Sequence, residues 1–128
     1  MQRPTSAPER HGLHVDAPAV TDDVVVVRFR GEADLHTAPI LRDALEEAIG
    51  TGAGTLVVDL TGVTFVDSMM LGVLLGATRR TRPRGTRIRI AVDDPHVRRV
   101  FELTLLDRVL ELYPSLELAL DRGEPSGG

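Results

Sequence analysis

Residues 57–75, VVDLTGVTFVDSMMLGVLL, constrain this chain more than any other stretch. Two apolar runs flank one acid and one hydroxyl, Asp67-Ser68. Leu56-Val57-Val58 is apolar at successive positions, as in a central strand covered on both faces. The spacing predicts a turn through Asp59-Leu60-Thr61-Gly62, a second run over Val63–Val66, and a helix that starts at Ser68. Met69, Met70, Leu71, Val73, Leu74, Leu75 and Ala77 nearly encircle that helix, which predicts deep packing. A buried strand feeding a buried helix belongs to a layered α/β architecture, with the polar pair at the junction.

The flanking segments extend this pattern. Leu13-His14-Val15 reads as a short strand, and Thr21-Asp22-Asp23 as a turn. In Val24–Arg30, Val25, Val27 and Phe29 share one face, while Val24, Val26, Arg28 and Arg30 share a wetter one. These two strands make an antiparallel edge. Gly31–His36 reads as a loop. Thr37 suits a helix N-cap, with Pro39 in the first turn and Leu41, Ala44, Leu45 and Ala48 at helical spacing. Gly50, Gly52 and Gly54 stop that helix.

After the junction helix, which ends near Pro83 or Gly85, Thr86–Val92 alternates as a strand with one more exposed face. Asp94 and Pro95 start a third helix whose buried side draws on Val97, Val100, Phe101 and Leu103-Thr104-Leu105. Arg108–Tyr113 reads as a last short strand, and Pro114-Ser115 introduces a small helix through Leu116, Leu118, Ala119 and Leu120. The expectation is one α/β domain over residues 13–121, a mixed four- to five-stranded sheet with about four helices. Residues 1–12 and 122–128 are expected to be flexible tails. Helical crossovers imply parallel neighbours and right-handed connections, with the C-terminal ends of the strands open for binding.

Composition narrows the function. Hydrophobic residues make up 42%, enough for a core, but aromatics only 3%, so aliphatic side chains must fill it. The net charge of -4 gives no overall attraction for nucleic acid or anionic lipid. The chain has no Cys, which removes disulfides, thiol nucleophiles and cysteine metal sites. The first residues have no apolar signal core, and no apolar run is long enough to span a bilayer, so the expected location is cytoplasmic with no membrane role.

Asp67-Ser68 is the sharpest candidate site. Ser68 stands at a helix N-terminus, where free N–H groups favour an anion and where a kinase can reach the hydroxyl. Plain capping by Asp67 or Ser68 accounts for the same residues, and the two roles are compatible. A nucleophilic role is disfavoured, because no G-x-S-x-G surrounds Ser68 and no motif places His36 or His96 beside it. His11, His14, His36 and His96 have no metal-ligand spacing, so no metal is expected. Gly50–Gly54 lacks the Lys-Ser/Thr of a phosphate-binding loop. Arg79, Arg80, Arg82, Arg84, Arg87 and Arg89 suit a helix C-terminus and a solvated strand face, with contact to an acidic partner as the functional alternative. Asp34 matters only if the fold brings its loop to Asp67-Ser68.

Several ordered segments resemble the STAS family, and within it the bacterial anti-sigma factor antagonists. Gly31-Glu32-Ala33-Asp34 resembles the family's G-E-x-D loop. Val57-Val58-Asp59-Leu60 with Val63–Ser68 resembles its central strand and phosphorylation loop, and Val97–Leu103 through Leu106–Val109 its third-helix segment. The resemblance runs from Leu13 to Leu120. It implies a non-enzymatic partner switch: an anti-sigma factor with serine kinase activity binds the unmodified antagonist and phosphorylates Ser68, and a phosphatase reverses this. It implies no cofactor and no direct contact with nucleic acid. The implied partner surface comprises Asp34, Asp67, Ser68, Met69, Met70 and Gly72. The family commonly reads D-S-S/T-G, whereas this chain reads Asp67-Ser68-Met69-Met70 before Leu71-Gly72. That departure motivates an alternative, a non-phosphorylated ligand-sensing or scaffold module.

Overall fold

A computed structural model describes residues 12–121. Strands β1 (Leu13–Val15), β2 (Ala19–Thr21) and β3 (Val24–Ala33) are followed by helix α1 (Ala38–Ile49) and strand β4 (Thr55–Val66). Helix α2 (Ser68–Thr81), strand β5 (Arg87–Ala91), helix α3 (Pro95–Leu103), strand β6 (Glu111–Tyr113) and helix α4 (Leu116–Leu120) follow within the described residues. One six-stranded sheet runs β1-β3-β4-β5-β6, and β2 also pairs with β3. β3 through β6 are parallel, while β1 and β2 lie antiparallel to opposite ends of β3.

The α/β class, the mixed sheet and the four helices follow the sequence expectation. Ala19–Thr21 adds a strand where only a turn was expected. The turn itself is tighter, since Asp22 and Asp23 both hold positive φ (50° and 66°), as a two-residue hairpin connection requires. β3 also continues through Gly31–Ala33, which had been expected to be loop. Of the expected tails, residues 1–11 and 122–128, with His11, lie outside the described residues. The Gly12 carbonyl accepts the Glu32 N–H at 3.1 Å, which ties it to β3.

The expected turn at Asp59–Gly62 is absent, and Thr55–Val66 is one strand. Two register shifts against β3 explain the sequence signal. Arg28 faces Asp59 and Arg30 faces Gly62, so β4 has an extra residue; Gly31 faces Val63 and Glu32 faces Phe65, so it gains another. Each bulge places two successive residues on the outer side, Thr61-Gly62 and Thr64-Phe65. Asp59 braces the first. Its carboxylate is buried, accepts the Thr61 N–H at 2.9 Å and the Thr61 hydroxyl at 2.7 Å, and takes the Arg28 Nε–H at 3.0 Å.

The main core packs Val25, Val27, Phe29, Leu56, Val58 and Leu60 of the sheet against Leu41 and Leu45 of α1, Met70 and Leu74 of α2, and Val97 and Phe101 of α3. Alternate strand residues Val57 and Ala91 join Tyr113 and Ala119 in a smaller cluster on the other face. This face of β5 was expected to be open, but α4 covers it. Arg89 is buried there, donates to the Ala119 and Asp121 carbonyls at 3.1 and 2.7 Å, and lies 5.6 Å from the Tyr113 ring centroid. Burial raises the Tyr113 phenol above its ordinary value, and its hydrogen bond to Glu111 acts in the same direction. Leu103 and Leu105, expected to be buried, are exposed. α3 ends at Leu103, and Leu105 takes a left-handed conformation that turns the chain away from the helix.

Gly31 has φ 116°, and a Cβ there would lie 2.2 Å from the Gly12 carbonyl oxygen. Gly31→Ala should therefore lower stability by more than ~1 kcal/mol. Gly52 has φ 79° but open space around it, so Gly52→Ala should lose less. Urea denaturation of both variants checks the order.

Candidate functional site

The site forms where β3 and β4 end side by side. Their last pair is Ala33 with Val66, and the Asp67 N–H donates to the Ala33 carbonyl at 3.2 Å. The two following segments, 34–37 and 67–70, are thereby neighbours. The loop condition set for Asp34 on sequence is met.

Asp67 holds the two segments together. Its Oδ1 accepts the Met69 and Met70 N–H groups at 3.0 and 3.1 Å, capping α2. Its Oδ2 accepts the Leu35 N–H at 2.9 Å. One carboxylate therefore satisfies three backbone donors, two at a helix end and one in the opposite loop.

Asp34 shapes its own loop. Its Oδ1 accepts the His36 and Thr37 N–H groups at 2.9 and 3.1 Å. Thr37 occupies the N-cap position of α1 without a side-chain cap bond. Its hydroxyl instead accepts the Asp34 N–H at 2.8 Å and donates to the Glu32 carbonyl at 3.0 Å. This polar ring inside the loop fixes where Leu35 projects. The Asp34 carboxylate thus has a structural task, and it sits beside the junction as a second local negative charge.

Ser68 is the first residue of α2 and is exposed. Its hydroxyl makes no hydrogen bond among the described residues.

The two methionines separate. Met69 is 47% exposed beside Ser68, whereas Met70 is 0% exposed in the core below. Two sequence expectations are corrected here. α2 is not apolar on all sides in its packing, and Met70 supports the surface from beneath without forming part of it. Gly72 is exposed one turn further along, with open space around its Cα. Two apolar side chains missed on sequence complete the surroundings: Leu35 and Phe65 are about half exposed. Phe65 faces outward because of the second β4 bulge, and the paired outward residues Thr64-Phe65 break the strand alternation that would have buried it. The sequence carried no sign of this, because Val63-Thr64-Phe65 alternates as though Phe65 faced inward. Ser68 and the Asp67 carboxylate are thus set among the aliphatic, aromatic and thioether groups of Leu35, Phe65 and Met69.

Residues 17–119 match the model of the STAS domain. The chain belongs to the STAS domain family. An anti-sigma factor antagonist from Mycobacterium paratuberculosis, solved by crystallography, superposes with a TM-score of 0.79 at 33% identity, over 91% of this chain and 96% of that one. The anti-sigma F factor antagonist of Lysinibacillus sphaericus is 31% identical over 111 residues, 86% of this chain and 94% of its own. The Bacillus cell fate determinant SpoIIAA, solved in its phosphorylated form, matches with a TM-score of 0.62 at 28% identity, over 87% of this chain and 98% of that one. These relatives are regulatory proteins. Among the described residues of this STAS domain, no helix is long and apolar enough to cross a membrane.

Removing the carboxylate should loosen both segments of the STAS site together. Asp67→Ala is expected to lower stability by about 0.5–2 kcal/mol, chiefly through the lost helix cap. Hydrogen exchange should speed up at the Leu35, Met69 and Met70 amides and leave the amides of β5 unchanged. Uniform acceleration would show that Asp67 is not a local clamp.

Proposed function

We propose that this protein is an anti-sigma factor antagonist controlled by reversible phosphorylation of Ser68. The single observation that carries the reading is the exposed Ser68 hydroxyl at the start of α2, set among Leu35, Phe65 and Met69. Membership of the STAS family and the anti-sigma factor antagonists among its relatives support it. The partner is an anti-sigma factor with serine kinase activity, which docks over Asp34, Asp67, Ser68, Met69 and Gly72, with Leu35 and Phe65 supplying apolar contact. A phosphatase acting on phospho-Ser68 restores the binding form.

The physical logic rests on charge and desolvation. An unmodified surface of this kind buries apolar carbon around one small hydroxyl, which favours association. A phosphoryl group adds about -1.5 to -2 charges beside the Asp67 carboxylate. The helix N-terminus offers it little relief, because Asp67 already accepts the Met69 and Met70 N–H groups. The added charge would therefore need new cationic partners across the interface or would weaken docking. A loss of ~4 kcal/mol corresponds to about a thousandfold in affinity. Release needs no refolding of the antagonist.

Met69 marks this surface off from one with a small residue after the serine. Its flexible thioether can adapt to an apolar counterface. The alternative, a STAS module that docks or senses without phosphorylation, rests on the same side chain.

The test uses the cognate anti-sigma factor and ATP, followed by mass-spectrometric mapping and calorimetric titration. Phosphate is expected on Ser68. Ser68→Ala should bind within a few-fold of wild type, and the phosphorylated protein should bind at least about a hundredfold more weakly. No phosphate at Ser68 together with full binding by Ser68→Asp would overturn the switch and favour the unmodified module.

A further inference from the structure

Ser68 is followed by two thioethers with opposite surroundings, and phosphorylation of Ser68 uses neither sulfur. Met69 is 47% exposed, while Met70, the next residue, is 0% exposed. The chain has no Cys and no Trp, so methionine sulfur is its most readily oxidised group. Met1 lies outside the described residues. A peroxide that reaches the folded junction meets the Met69 sulfur, and the core shields the sulfur of Met70.

The backbone at Met69 does not depend on that sulfur. The Met69 N–H donates to Asp67 Oδ1 at 3.0 Å, and the thioether makes no hydrogen bond among the described residues. New chemistry at the sulfur therefore alters the surface and leaves the cap of α2 in place. Two other apolar side chains belong to the same junction. Leu35 is tied to the Asp67 carboxylate through its N–H at 2.9 Å, and Phe65 stands two residues before Asp67 in β4. Both are about half exposed. A counterface that docks over Ser68 with Leu35 and Phe65 also meets Met69, the residue next to Ser68.

We propose that Met69 is a modification site in its own right: hydrogen peroxide converts its thioether to the sulfoxide, and this weakens docking of the anti-sigma factor with no phosphate on Ser68. The effect on docking rests on the reading of this junction as the anti-sigma factor surface. In the step, a sulfur lone pair attacks one peroxide oxygen. An S–O bond forms as the O–O bond breaks, and the sulfur gives up two electrons. The proton of the attacked oxygen passes to the departing one, which leaves as water. A methionine sulfoxide reductase reverses the change: two thiols are oxidised to a disulfide, and the oxygen leaves as water. The sulfoxide is a polar acceptor where an apolar tip stood. Covered by apolar carbon with no donor, such an acceptor lowers affinity by about tenfold. Phosphate acts at the same junction through charge, whereas the sulfoxide carries no net charge.

Hydrogen peroxide is added to the full-length protein, and tandem mass spectrometry places the added oxygen. Met69 should gain it at least about tenfold faster than Met70, and the two rates should converge in denaturing urea. Calorimetric titration with the cognate anti-sigma factor should then show at least about tenfold weaker binding by the oxidised protein, restored by the reductase and a dithiol. Ser68→Ala should lose affinity on oxidation by the same factor as wild type, which separates the effect from phosphorylation. Met69→Leu should give one affinity before and after peroxide, which separates Met69 from Met1. Circular dichroism verifies folding; if Met69→Leu is unfolded, Met69→Gln decides, and it should bind weakly before peroxide and no more weakly after it. Equal oxidation of Met69 and Met70 in the folded protein, unchanged affinity after oxidation, or a loss that persists in Met69→Leu would each overturn the proposal alone. Failure of the untreated protein to bind the anti-sigma factor would overturn the docking reading, and the proposal with it.

Discussion

The parallel pairing of β3 with β4 is the constraint on which the rest depends. It joins the antiparallel edge to the three remaining parallel strands, and it carries the longest register in the sheet. Within it, β4 uses 12 residues where β3 uses 10. A strand longer than its partner must bulge, and a bulge re-aims the side chains that follow it. Here the first bulge is braced by buried Asp59, and the second places Phe65 outward three residues before Ser68. The surface at the end of the strand is thus a consequence of pairing geometry within it.

The Asp67 carboxylate then converts two strand ends into one site. Without a side-chain acceptor at that position, the Met69 and Met70 amides and the Leu35 amide would each need water. With it, the helix start and the neighbouring loop share one anchor, and the positions of Leu35 and Met69 are linked to each other. The Asp34–Thr37 ring stiffens the far side of the same loop. Rigid backbone beneath flexible side chains is a favourable arrangement for recognition, because little entropy remains to be lost in the main chain.

Much of this was legible in the sequence, where periodicity and caps acted locally. Val25, Val27 and Phe29 point inward as their alternation requires, and Asp94-Pro95 starts α3 as its residue types require. The junction at Asp67-Ser68 was found by the same means. What could not be read depends on partners distant in sequence. Asp59-x-Thr61-Gly62 has turn composition, yet the neighbouring strand turns it into a bulge. Arg89 alternates as a solvent-facing residue, yet α4 folds over it and uses its guanidinium to hold two carbonyls. Met69 and Met70 are chemically identical, and only the rotation of α2 against the sheet assigns one to water and one to the core. Leu103 and Leu105 were expected inside because they are apolar, but Leu103 stands on the face of α3 away from Val97 and Phe101, and the helix stops before Leu105.

The prior occupation of the α2 amides by Asp67 has a thermodynamic consequence. An exposed hydroxyl that makes no bond within the fold is in much the same surroundings in the folded and unfolded chain. A substituent on such a group shifts the folding equilibrium only by the difference between its interactions in those two states. At this junction the fold sets that difference through two carboxylates, since the Leu35 N–H bond to Asp67 brings the Asp34 loop beside the start of α2.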